Sequence, residues 1–202
     1  TNYHWRQSMT RWFKLQVALL VSLALSSVAA YAAHDAADVY SFDDSPRAEP
    51  LVYRVWCKKS FFYLGDDLKD ARDAGKEGLI VYFGQRRCAY CHKLMEVNFG
   101  LTDIVEYTQR HFDVVPIDIW GVAEVTTLGG EVMTEREFSL ENQTNFTPSL
   151  LFYDRDGKEA LRLRGYYPPY QFRAALEYVA DGHYKRESFR DYLARGEGRM
   201  VF

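Results

Sequence analysis

The sequence predicts an α/β fold, a central mixed β-sheet flanked by helices. Three observations carry that expectation. "LIVYF", Leu79 to Phe83, is a continuous apolar run of β-forming residues, the pattern of a strand buried on both faces. It is followed closely by a helical segment opening at Cys88 and running to Val97. Downstream, "PSLLFYD" and "KEALRLRGY" flank the turn "DRDG", which makes them antiparallel strands joined tightly at Asp156-Gly157.

Each element has its own signal. Residues 33–59 open with "AHDAADVYSFDDSPRAEPLV", acidic, Ala-rich and broken by Pro46 and Pro50, and read as a flexible lead-in without a core of its own. From Asp66, "DDLKDARDAGKEG" gives a short amphipathic helix with Leu68 and Ala71 on one side and Gly75 as its stop. After the apolar strand and the Cys88 helix, "DIVEYTQRHF" forms a helix behind the capping pair Thr102 and Asp103. The next strand is "FDVVPIDIW", Phe112 to Trp120, where Pro116 suggests an edge position or a bulge. Val122 to Met133 reads as a small inserted hairpin around Gly129-Gly130, and Thr134 starts a helix with a Thr-x-x-Glu capping pattern. Helices at Pro169 to Ala180 and Lys185 to Ala194 close the domain, which is expected to span 60–195 with a tail at 196–202.

Bulk properties narrow the functional classes. A chain of 202 residues, 48% apolar and 16% aromatic, can bury one substantial core. A net charge of -3, with lysines and arginines scattered, offers no footprint for nucleic acid. The first 32 residues carry Arg6, Arg11 and Lys14 and no acid. From Met9, "MTRWFKLQVALLVSLALSSVAAYA" has a basic start, an apolar Leu15 to Leu25 centre and a small-residue end, so a secretory signal cleaved after Ala32 is expected. Residues 1–8 precede that start and read as an extension of the frame. The competing reading is an uncleaved membrane anchor over residues 15–33. Cleavage would remove three basic residues and take the net charge from -3 to about -6, an ordinary acidic surface.

Export changes the meaning of the cysteines, because a disulfide persists outside the cytosol. Two of the three stand in "CAYCH", Cys88 to His92. Locally this permits a redox dithiol or a c-type haem attachment site. As a dithiol, Cys88 would gain from a helix N-terminus, where unpartnered N–H groups and the macrodipole favour a thiolate. Cys91 would lie about one turn inside, close enough to form a disulfide and too buried to attack first. Arg86, Arg87 and His92 would add positive potential, or simply form a solvated loop. As a haem site, Cys88 and Cys91 would form thioethers and His92 an axial ligand, with Met133, Met200 or another His as the sixth, since Met95 shares the helix. A buried strand leading straight into the motif favours the dithiol. Zinc is disfavoured because the third cysteine, Cys57, stands 31 residues upstream of Cys88 and makes no second ligand pair. Cys57 reads as a small buried apolar residue, with a third redox thiol as the alternative.

"CAYC" behind a buried strand, together with "FTPSLLFYDRDGKEALRLRGY", resembles the thioredoxin superfamily over about residues 60–180. More closely, "LIVYFGQRRCAYCHKL", "DIVEYTQRHFDVVPIDIWG", "MTEREF", "TPSLLFYDRDGKE" and "RGYYPPYQFRAALEYV" are similar to the SoxW-like periplasmic thioredoxins. The resemblance implies a thioredoxin-like fold with a small insertion before the cis-proline helix and an extra C-terminal helix. It implies an exported thiol:disulfide oxidoreductase, in some members linked to sulfur-compound oxidation. Carried onto this chain, the nucleophile is Cys88, the resolving thiol Cys91 and the substrate-docking pair Thr147 and a cis Pro148. Tyr90, Phe146, Tyr166 and Tyr167 would offer an apolar surface to a partner, with Arg87 and His92 stabilising the thiolate. No metal or cofactor is expected. The expected partners are a disulfide- or dithiol-containing periplasmic protein and a membrane or periplasmic electron donor. The chain departs from ordinary thioredoxin in Ala89-Tyr90 between the cysteines, in Arg87 before them, and in Tyr82 where a buried carboxylate usually stands. A thioredoxin-fold binding module with a purely structural disulfide is the non-enzymatic alternative.

Overall fold

The computed structural model describes residues 42–144 and 146–196. The expected signal segment, its cleavage point after Ala32, the alternative anchor at 15–33 and most of the tail lie outside these residues. Among the described residues no helix is long and apolar enough to cross a membrane.

Within the unit Asp44–Phe202 the element order is α1 (Leu64–Asp73), β1 (Gly78–Gly84), α2 (Ala89–Glu96), α3 (Thr102–His111), β2 (Phe112–Asp118), β3 (Glu124–Thr126), β4 (Val132–Thr134), α4 (Glu135–Glu141), β5 (Ser149–Asp154), β6 (Glu159–Arg164), α5 (Pro169–Ala180) and α6 (Phe189–Ala194), with short 3-10 turns at Asn98–Gly100 and His183–Lys185. The main sheet has the order β2-β1-β5-β6. β1 runs parallel to β2 and antiparallel to β5, and β5 antiparallel to β6, so the sheet is mixed as expected. The inserted hairpin β3-β4 forms a separate two-stranded sheet.

β1 is central, and all seven of its residues are buried. Alternation sends Ile80 and Tyr82 to one face, where they meet Leu94 and Met95 of α2, Ile104 of α3 and Phe172 of α5. Leu79, Val81 and Phe83 face the other way, onto Leu64 and Leu68 of α1, Phe138 of α4 and Val125 of the hairpin. Burying each such side chain contributes about 1.5–3 kcal/mol, which is why the strand reads as an unbroken apolar run. Pro116 lies on the edge strand β2. The Val114 carbonyl points outward to accept the Lys58 N–H at 2.8 Å, and Pro116, two residues on, presents the same open edge, where its missing N–H deprives no strand of a bond.

Several boundaries differ from the sequence expectation for local reasons. α3 has no side-chain cap: Leu101 is its N-cap, and Thr102 and Asp103 already lie in the first turn because the 3-10 turn feeds straight into the helix. β2 stops at Asp118 rather than Trp120, since the Asp118 carboxylate and carbonyl take the N–H groups of Trp120 and Gly121 and turn the chain. The last helix starts at Phe189, not Lys185, because Ser188 caps it through the Asp191 N–H. The expected Thr134 capping box is complete, with Glu137 reaching back to the Thr134 N–H.

Among the described residues, 42–59 of the lead-in have neither helix nor strand, yet from Asp44 they belong to the domain. Cys57 is buried, and Trp56 packs edge-on against Phe99 with ring centroids 4.9 Å apart. Arg54 Nε donates to the Met95 carbonyl at 2.9 Å, placing a cation at the C-terminal end of α2. Lys58 Nζ pairs with Asp70 at 2.9 Å and Asp113 at 3.2 Å, joining α1 to β2. These anchors are single aromatic or charged residues without periodicity, so the Pro-broken composition concealed them.

Candidate functional site

The loop between β1 and α2 carries Gln85 to Cys88. The lead-in holds it: the Leu51 N–H donates to the Arg86 carbonyl at 2.7 Å and the Arg47 N–H to the Arg87 carbonyl at 3.0 Å. Cys88 is then the N-cap of α2, in extended conformation, its sulfur accepting the Cys91 N–H at 3.0 Å. A sulfur thus stands where a Ser or Asp side chain commonly caps a helix. No acid occupies the first turn. Cys88 and Cys91 are joined as a disulfide, with Cα atoms 5.1 Å apart. Cys88 is 8% exposed and Cys91 fully buried, so an incoming group meets Cys88 first.

Thr147 and Pro148 face this sulfur from the start of β5, with a cis peptide bond between them. Thr147 Oγ1 lies 3.3 Å from Cys88 Sγ and can donate its proton to it, and the Thr147 carbonyl lies 3.4 Å away. The geometry therefore brings together four residues singled out from sequence: Cys88, Cys91, Thr147 and Pro148.

The remaining candidates are placed differently. Arg87 Nε donates to the Arg47 carbonyl at 2.8 Å, and His92 Nδ1 lies 3.9 Å from Glu96 Oε1, so each side chain is directed to a partner other than sulfur. Tyr90 is partly exposed and stacks on Tyr166 with centroids 6.2 Å apart, while Lys93 covers the Tyr166 ring. Tyr167 turns instead toward Phe189 of α6, and its carbonyl accepts the Asn98 amide at 3.0 Å. Phe146 is 70% exposed beside Thr147. His92 lines an open groove of about 670 Å³ between residues 49–56 and the α2–α3 region, a groove that neither cysteine lines. Among the described residues, no three His, Cys, Asp or Glu side chains converge to hold a metal ion.

Cys57 forms no disulfide, and burial pushes its thiol up to about 11, which favours the neutral thiol over the thiolate. Tyr82, at the position of the usual carboxylate, is wholly enclosed, and burial raises its hydroxyl well above the ordinary tyrosine range. Its hydroxyl has no hydrogen-bond partner among the described residues. Gly84 makes room for the ring, since a Cβ there would lie 2.7 Å from Tyr82 Cε1. Tyr82→Phe is therefore expected to raise stability by about 1 kcal/mol in urea unfolding, because it removes an unsatisfied polar group without opening a cavity. A loss of stability would show that the hydroxyl is bonded in solution.

Two residues at the site escaped sequence reasoning. Gln85 Nε2 donates to Thr147 Oγ1 at 3.0 Å, and Trp120 Nε1 donates to Gln85 Oε1 at 3.0 Å. Gln85 stands only three residues before Cys88, but its partners lie 62 and 35 residues away and no spacing announces them. Trp120 is 61% exposed, and its ring is also met by the Arg136 guanidinium.

A family model for the thioredoxin-like domain matches residues 64–180. Among solved structures, the chain is similar to a thioredoxin-fold protein from Helicobacter pylori, at 24% identity over 58% of this chain and 78% of that one, with a TM-score of 0.49. A thioredoxin from Thermus thermophilus is 21% identical over 70% of this chain and 95% of that chain, with a TM-score of 0.45. A disulphide isomerase from Xylella fastidiosa Temecula1 is 15% identical over 73% and 98%, with a TM-score of 0.37. No curated protein matches this chain.

Proposed function

Because this chain belongs to the thioredoxin-like domain family, we propose that it is an exported thiol:disulfide oxidoreductase that reduces disulfides in partner proteins through Cys88 and Cys91. The observation that carries this reading is the Cys88–Cys91 disulfide at the N-terminus of α2, facing Thr147-Pro148. In the reduced protein the Cys88 thiolate attacks one sulfur of a partner disulfide, and the partner's other sulfur leaves as a thiolate and takes up a proton. The partner strand rests beside Thr147-Pro148, with Tyr90 and Phe146 as apolar contacts. Cys91 then loses its proton and attacks Cys88 Sγ, expelling the second partner thiolate. Two electrons pass to the partner, and the protein is left oxidised as the structure shows it. Turnover then requires a dithiol donor in the membrane or the same compartment. The likeness to SoxW-like periplasmic thioredoxins supports a periplasmic setting connected with sulfur-compound oxidation.

The test is to recover the protein from the periplasm of a bacterial host and assay it with insulin and dithiothreitol. It is expected to begin at Ala33, to accelerate insulin reduction, and to have a reduction potential nearer -270 than -120 mV, the approximate thioredoxin and strong-oxidant limits. A potential near the upper limit would reverse the direction and make the protein a disulfide donor. Absence of turnover would leave a binding module with a structural disulfide, and retention in the membrane fraction would favour the anchor over residues 15–33.

A further inference from the structure

Three hydrogen bonds in series lead from the protein surface to the reactive sulfur: Trp120 Nε1 to Gln85 Oε1, Gln85 Nε2 to Thr147 Oγ1, and Thr147 Oγ1 to Cys88 Sγ, at 3.0, 3.0 and 3.3 Å. The chemistry of the first group decides the direction of the rest. An indole N–H can only donate, so the amide end facing Trp120 must be the carbonyl oxygen. The Gln85 NH2 is then the end that faces Thr147, and an NH2 can only donate. The Thr147 hydroxyl accepts from it, which leaves its own proton free for Cys88 Sγ. A flipped amide would do the reverse, with Gln85 Oε1 drawing the hydroxyl proton away from sulfur.

We propose that Gln85 and Trp120 are positioning residues of the exchange reaction: Trp120 locks the Gln85 amide, and Gln85 holds the Thr147 hydroxyl as a donor to the Cys88 thiolate. The inference rests on the reading of Cys88 as the nucleophile. Toward a disulfide sulfur, a poor acceptor, the Thr147 O–H bond is weak; toward a thiolate it is charge-assisted, so the series favours the reduced, ionised state. The Cys91 N–H, 3.0 Å from the same sulfur, is the second donor and does not depend on the series.

The loop around Trp120 is built to hold this geometry. The Trp120 N–H donates to Asp118 Oδ1 at 3.0 Å, and Glu135 Oε1 accepts the Asp118 N–H at 3.0 Å. Burial raises the Glu135 carboxyl above the usual range, and a Cβ on Gly121 would lie 1.8 Å from Glu135 Oε2. The indole is nevertheless 61% exposed, so a partner docked at the sulfur can cover it and shield its bond to Gln85 from water.

The experiment is the pH dependence of Cys88 alkylation by iodoacetamide in the reduced protein, which reads the thiolate fraction directly. Thr147→Val is expected to lower the rate below the wild-type midpoint about tenfold, and Thr147→Ser to restore it. Gln85→Leu and Trp120→Phe are expected to lower it about threefold, as the hydroxyl becomes free to point elsewhere. Gln85→Glu, matched in size and able to accept from Trp120 but unable to donate to Thr147, is expected to lower the rate more than Gln85→Leu does. In the Thr147→Val background, Gln85→Leu should add nothing. Superimposable profiles for wild type and the Gln85 variants, or full additivity of Gln85→Leu with Thr147→Val, would overturn the inference. A wild-type Cys88 that titrates like a free thiol and does not turn over insulin would instead overturn the oxidoreductase reading beneath it.

Discussion

Cys88→Ser is expected to abolish disulfide exchange, reducing insulin turnover by at least about a thousandfold, whereas Cys91→Ser is expected to complete the first step and stop. The asymmetry follows from position. Cys88 caps α2, is the more accessible of the two cysteines and meets Thr147-Pro148, so without its sulfur no bond to a partner forms. Cys91 is fully buried and reaches only Cys88, so its loss leaves the mixed disulfide with no internal nucleophile to resolve it. A non-reducing gel after mixing Cys91→Ser with an oxidised protein should show a stable adduct that dithiothreitol releases and that is absent from the Cys88→Ser,Cys91→Ser double variant. Substantial turnover by Cys88→Ser would disprove the assignment of the nucleophile.

The largest effect on stability is expected at Gly78, where β1 begins. There the strand pairs with Phe112 on one side and Asp154 on the other. A Cβ at Gly78 would lie 1.9 Å from the Tyr153 carbonyl oxygen and 3.2 Å from Asp154 Cα, both backbone atoms of a paired strand. Neither can yield without breaking the β1–β5 ladder, so Gly78→Ala should cost about 3 kcal/mol and lower Tm by roughly 6–12 °C. Gly65 in α1 is the control: nothing lies within 4 Å of its Cβ direction, and Gly65→Ala should stabilise by about 0.5–1 kcal/mol through helix propensity. Equal unfolding midpoints for the two variants would show that the strand start relaxes more freely than its two-sided pairing implies.

Elements whose signal is local were legible in the sequence. The five residues Leu79 to Phe83 of β1 announce themselves as an apolar run, and Thr134 and Glu137 as a capping pair. The Gly157 turn also falls where Asp-Gly marks it, with φ +78°. The expected cap of α3 differs because a Thr-Asp pair near a helix start is compatible with two registers, and the 3-10 turn before it, whose Phe99 packs on Trp56, runs straight into the helix with Leu101 as N-cap. The packing of the lead-in left no such mark: Trp56 and Lys58 each meet a partner far along the chain, and isolated long-range contacts leave no period.

What the sequence alone determined is the mixed α/β architecture and the neighbourhood of the two cysteines, because strand burial, helix capping and a CxxC spacing are all settled within a few residues. Tertiary structure decided which groups surround the sulfur. Arg87 and His92, adjacent in sequence, are directed to Arg47 and Glu96, while Thr147, 59 residues on from Cys88, supplies the side-chain donor and Gln85 with Trp120 orients it. The physical reason is directional: a hydrogen bond depends on where a donor points, and that direction is fixed only once β1, β2 and β5 are side by side in one sheet.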